Sequence, residues 1–185
     1  VATGVDFSPK AISLARSIAE RADLDVRFIE SSIEDLADNP IGEFDIVFTS
    51  YGVLCWLRDL QAWAKVIASH LKPGGRFFIA DGHPTACMFD NADDVIDWRI
   101  KYPYFYKDKP IIESFEGSYA TADSPERATA EWSHGLGEIV NVLIGAGLTI
   151  QHLEELPYSF YRCSPLVEKR DDGNWWPIDS TANIP

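Results

Sequence analysis

The chain has 185 residues, 46% of them hydrophobic and 12% aromatic, which is enough apolar material for one sizeable core. Sixteen Lys and Arg against 29 Asp and Glu give a formal net charge of −13, a balance that repels phosphate backbones and anionic lipid and so argues against nucleic acid and membranes as partners. Three cysteines far apart in sequence, Cys55, Cys87 and Cys163, form neither a disulfide framework nor a metal cluster, so no metal is expected and a cytoplasmic setting is.

Residues 1–5 read as a short buried strand. Because the chain opens inside that strand and Met88 is its single methionine, further residues are expected ahead of Val1. Ser8 then predicts an N-cap with Pro9 at the first helical position, and Ala11, Leu14, Ala15, Ile18 and Ala22 form an apolar stripe at helical spacing. A strand over 26–29 and a polar loop over 30–35 follow. Residues 44–49 predict a third strand. After a loop over 50–58, Leu60, Trp63, Ala64, Ile67 and Leu71 mark one face of a helix that Lys72-Pro73-Gly74-Gly75 stops, turning the chain into a strand over 76–81. Alternating strand and helix predicts an α/β fold, a doubly wound, mostly parallel sheet with helices on both faces.

Over 82–133 this rhythm gives way to an aromatic-rich insertion in a single domain spanning 1–185. Within it, 111–120 and 127–132 read as an antiparallel pair of strands. The rhythm resumes with a helix on Leu136, Ile139, Val140, Leu143 and Ile144, stopped at Gly145-Ala146-Gly147, and a strand over 148–153. Residues 157–185 read as surface loop.

In a doubly wound sheet the ligand lies beyond the carboxyl ends of the strands. Asp6 ends the first strand just before a helix, where a carboxylate can accept both hydroxyls of a ribose; an acid favouring the positive end of the helix explains the position equally well. Ser32 and Ile33 lie after the second strand, and Thr49, Ser50 and Tyr51 end the third. Among the histidines, His83 follows a strand end and is the first candidate general base, with His134 the second. His70 reads as a helix-end residue and His152 as a strand-face residue. Tyr51, Trp56, Phe89 and Trp132 are the aromatic candidates for an acceptor pocket, with His83 and His134 beside them.

Val5-Asp6-Phe7-Ser8-Pro9, then Phe44-Asp45-Ile46-Val47-Phe48, then Leu71-Lys72-Pro73-Gly74-Gly75-Arg76-Phe77, in that order and spacing, resemble the class I S-adenosylmethionine-dependent methyltransferases of small-molecule type. The resemblance is close over 1–83 and looser over 134–154. It implies the Rossmann-like methyltransferase fold, with the family's first strand and glycine-rich loop ahead of Val1, its last strand beyond Ile184, and the insertion after the fifth family strand as a lid. It also implies methyl transfer from S-adenosylmethionine to a small-molecule acceptor, with Asp6 on the cofactor ribose, Phe7, Ser32 and Ile33 about the adenine, and Thr49, Ser50 and Tyr51 beside the methionine part. Ser32 stands where the family often has an acid. A homodimer is compatible with this reading. A non-catalytic binding or interaction module on the same scaffold is the alternative.

Overall fold

Ser8 and Pro9 start the first helix as the sequence predicts, and two strands flank it. In the computed structural model, which describes residues 1–49, 51–115 and 127–179, β1 (Ala2–Asp6), α1 (Pro9–Arg21) and β2 (Val26–Glu30) form a strand–helix–strand unit with β1 and β2 parallel. The Ser8 side chain accepts the Ala11 amide at 3.3 Å, satisfying one of the donors that a helix start leaves open. The helix buries Ile12 and Ala19 instead of the predicted stripe; Leu14 is 61% and Ile18 52% exposed. Both faces are apolar enough to read as a stripe. Contact with β2, to which Arg16 also donates through the Phe28 carbonyl at 2.8 Å, selects the face.

The predicted polar loop at 30–35 contains a helix start. Ser32 caps α2 (Ile33–Asp38), accepting the Asp35 amide at 3.0 Å, and Glu34 and Asp35 lie in the first turn, where carboxylates offset the positive end of the helix dipole. Strand β3 (Phe44–Thr49) pairs with β4 (Leu71–Ile79), and α3 (Leu60–Ser69) connects them. The helix ends earlier than predicted, at Ser69, and Leu71 already belongs to β4. His70 lies between them and is buried. Its Nε2 accepts the Ile41 amide at 3.3 Å while Nδ1 lies 2.7 Å from the Val66 carbonyl, so the ring closes the helix end. At Lys72-Pro73-Gly74-Gly75 the predicted turn chemistry is present: Gly74 has φ +79°, and a Cβ on Gly75 would stand 2.9 Å from the Lys72 carbonyl oxygen and 3.0 Å from that of Phe44.

The chain divides into two compact units, Val1–Val47 with Gln61–Phe77, and Phe48–Leu60 with Phe78–Pro185. The core of the first centres on Trp63, 1% exposed and edge-on to Phe77 at 5.7 Å, with Ala64, Val66, Ile67, Leu36 and Ile12. The second holds β5 (Ile111–Phe115) antiparallel to β6 (Arg127–Glu131), α4 (Leu136–Gly145), and a hairpin of β7 (Val167–Lys169) and β8 (Trp175–Pro177). Ile139 and Leu143 are the buried face of α4.

Four two-stranded ladders therefore replace the single sheet of the prediction among the described residues. None of these residues supplies a strand joining β1 and β2 to β3 and β4. The predicted strand at 148–153 has no ladder partner either, and Ile150 and Leu153 are exposed; apolar alternation makes a strand only where another strand can take its backbone groups. Within the predicted C-terminal loop, β7 and β8 form because Gly173, at φ +86°, reverses the chain and Asp172 accepts both the Asn174 amide and the Trp176 indole N–H at 2.9 Å. The predicted antiparallel pair in the insertion forms at 111–115 and 127–131; residues 116–126, including the predicted strand end 116–120, and Ser50 lie outside the described residues.

Candidate cofactor rim and acceptor site

In the first unit the carboxyl ends of β1 and β2 lie side by side. Asp6 is in register with Glu30, and the Asp6 carbonyl accepts the Ser31 amide at 3.0 Å. This brings four predicted residues, Asp6, Phe7, Ser32 and Ile33, to one rim. Asp6 Oδ1 accepts the Ser8 amide at 2.7 Å, which fixes the carboxylate and leaves Oδ2 without a partner. Phe7 is 77% exposed, an open aromatic face beside that carboxylate. Because Ser32 Oγ accepts the Asp35 amide, its own proton remains available, and the hydroxyl meets a ligand as a donor.

In the second unit Asp81 organises the loop that follows β3. Its Oδ1 accepts the amides of Gly52 at 3.1 Å and Gly82 at 2.7 Å, and its Oδ2 those of Val53 at 2.9 Å and Leu54 at 3.2 Å. One carboxylate thus caps the 3-10 turn Leu54–Trp56. Thr49 ends β3 half-buried, and Tyr51 beyond it is 58% exposed with its ring 4.3 Å from that of Phe160. Trp56 is also exposed. The Trp132 amide donates to the Cys55 carbonyl at 2.8 Å, anchoring the end of the insertion beside Trp56, and the Trp132 indole nitrogen is buried without a partner. Phe89 packs edge-on to Trp98 at 5.2 Å within the insertion.

Both ring nitrogens of His83 are engaged. The Thr85 amide donates to Nδ1 at 3.1 Å, so the ring proton sits on Nε2, which donates to Glu155 Oε1 at 2.7 Å. No lone pair is left for an acceptor's proton in this arrangement. His134 is buried; its Nε2 donates to the Leu57 carbonyl at 2.7 Å, its ring stacks on Tyr106 at 5.5 Å, and Nδ1 lies 3.3 Å from Glu138 Oε2. That is the geometry of a clamp between the start of α4 and the 3-10 turn. His152 is exposed, 3.4 Å from Glu154, and on no strand.

Burial pushes the Cys55 thiol up to about 12, with Glu131 and then Asp81 adding to it. Burial likewise pushes the Tyr161 phenol up to about 12, followed by Cys163, Cys87, Cys55 and Asp81.

Residues 1–77 match the methyltransferase domain family. Over that segment the chain is similar to methyltransferases. The chain is 33% identical over 87 residues to the ubiquinone biosynthesis O-methyltransferase of Xanthomonas axonopodis pv. citri (strain 306), covering 47% of the chain and 36% of that protein. It is also 33% identical over 102 residues to the ribosomal protein L11 methyltransferase of Burkholderia mallei (strain NCTC 10229), covering 52% and 31%. The chain thus spans about a third of the length of the curated relatives it matches. Its fold is similar to two S-adenosylmethionine-dependent methyltransferases of known structure. One, from Clostridium acetobutylicum ATCC 824, has a TM-score of 0.58 at 18% identity, covering 81% of this chain and 65% of that one. The other, from Mesorhizobium loti, has a TM-score of 0.57 at 20% identity, covering 84% and 66%.

Four residues of the second unit escaped sequence reasoning. Asp81 carried the same signal as Asp6, an acid at a strand end, and that signal could have found it. Glu155 and Phe160 carried none, because their partners His83 and Tyr51 are 72 and 109 positions away in the chain, and Tyr161 makes its ring contact only with Phe160 among the described residues.

Proposed function

We propose that the protein transfers a methyl group from S-adenosylmethionine to a small-molecule acceptor in the cytoplasm. The observation that carries this reading is the rim at the ends of β1 and β2, where a fixed carboxylate with one open oxygen, a hydroxyl donor and an open aromatic face meet within the segment that matches the family. These groups fit an adenosine: Asp6 would take the ribose hydroxyls, Phe7 and Ile33 would flank the base, and Ser32 would donate to a ring nitrogen. Thr49, Ser50 and Tyr51 would hold the methionine part.

When bound, S-adenosylmethionine would supply a sulfonium-activated methyl group. The protein's own task is to position the acceptor and exclude water. Asp81 fixes the loop carrying Tyr51 and Trp56, whose rings would wall the acceptor; the aromatic insertion at 82–133, with Phe89 and Trp132, would act as the lid. A net charge of −13 suits a small acceptor better than a nucleic acid. The test is transfer of isotope-labelled methyl from S-adenosylmethionine into a panel of small acceptors. Label found in a product made by the wild type but not by Asp6→Ala supports the reading, and no transfer to any acceptor by folded protein refutes it.

A further inference from the structure

Segment 155–161 is fastened at two points to the loops that follow β3 and β4. Glu155 Oε1 receives the His83 Nε2 proton at 2.7 Å, and the Phe160 ring lies 4.3 Å from Tyr51. Between those loops Asp81 grips the amides of Gly52, Val53 and Leu54. The contacts close a ring through the second unit, from Tyr51 to Asp81, His83, Glu155, Phe160 and back. Three rings follow one another there, tilted against each other and each about half exposed: Tyr51, Phe160 and Tyr161, the last two 5.0 Å apart. Glu155 is half exposed, and its Oε2 has no partner among the described residues.

A carboxylate that accepts one hydrogen bond keeps lone pairs for a cation, and aromatic faces attract cations through their quadrupoles. We infer that Glu155 and the Tyr51–Phe160–Tyr161 rings form the acceptor subsite and that it recognises a compact amine, bound as its ammonium form, with His83 positioning Glu155. This rests on the methyltransferase reading and adds the acceptor class to it. His83, its Nδ1 held by the Thr85 amide, acts through Glu155; the ammonium would give its proton to the Glu155 carboxylate, freeing the nitrogen lone pair that takes the methyl as the carbon–sulfur bond breaks.

The test is ligand-observed NMR on the protein saturated with S-adenosylhomocysteine, using the isosteric pairs benzylamine with benzyl alcohol and cyclohexylamine with cyclohexanol. The amines are expected to bind about tenfold more tightly than the alcohols, and Glu155→Gln to erase the difference. Phe160→Leu should weaken amine binding severalfold. His83→Ala should weaken it as well, and His83→Gln, whose amide still donates to Glu155, should restore it. Equal binding of amine and alcohol, binding of neither, or a preference untouched by Glu155→Gln overturns the inference. Failure of S-adenosylhomocysteine to bind the wild type would instead strike the underlying reading, and that titration is done first.

Discussion

Asp81 Oδ2 accepts the Val53 amide at 2.9 Å across 28 residues of chain, and the same carboxylate takes three further amides. Removing it leaves all four donors without their acceptor. Asp81→Ala is therefore expected to cost about 2–4 kcal/mol in urea unfolding, with Asp81→Asn losing less because one carbonyl oxygen remains. A loss under about 0.5 kcal/mol would mean that water replaces the carboxylate in the loop.

Ser32 has two separable roles. Ser32→Ala removes the cap of α2 and should cost about 1 kcal/mol, whereas Ser32→Asp keeps the cap and replaces the hydroxyl donor by a carboxylate. The aspartate variant should match wild-type stability and bind S-adenosylhomocysteine severalfold more weakly, read by calorimetry, because a carboxylate cannot donate to a ring nitrogen. Unchanged or tighter binding by Ser32→Asp would show that the ligand uses an acceptor at this position.

What the sequence made legible was local. Ser8 with Pro9, the Gly74 turn and the Gly145-Ala146-Gly147 stop are set within a few residues, and each stands where expected, with Gly147 at φ +92°. The Ser32 cap was equally local, its signal being a serine three residues before Asp35, and it was missed because the stretch reads as polar. The phase of α1, the fate of 148–153 and the fastening of 155–161 depend on partners elsewhere in the chain, and no periodicity encodes those. For the site, Asp6 and Ser32 could be read from strand ends, while the His83–Glu155 pair needed coordinates.

Gly75 tests the turn that carries much of the family resemblance. A Cβ there meets the carbonyl oxygens of Lys72, Phe44 and Asp45 at 2.9, 3.0 and 3.2 Å, all backbone atoms that cannot swing aside. Gly75→Ala should cost about 2–3 kcal/mol, while Gly137→Ala, where a Cβ meets nothing within 4 Å, should be neutral or stabilising through helix propensity. Equal unfolding midpoints for the two variants would contradict the packing described.

Cys55 gives a pH dependence with a definite sign. Its thiol is pushed from the ordinary 9.0 up to about 12, first by burial, so the folded state favours the neutral form. The stability this contributes is whole below about pH 9 and is lost as pH rises toward 12. Iodoacetamide at pH 8 should alkylate native Cys55 at least about a hundredfold more slowly than in urea, because only the thiolate reacts. Comparable rates in the two states would show an open, ordinary thiol.

The central claim is that the rim at Asp6 holds S-adenosylmethionine. Calorimetric titration of S-adenosylhomocysteine into the wild type and into Asp6→Ala tests it most directly. The account predicts micromolar binding by the wild type and at least about a tenfold loss in the variant, since a carboxylate that accepts two ribose hydroxyls makes charge-assisted bonds. Binding unchanged by the substitution, or no heat from a wild type shown to be folded, would contradict it.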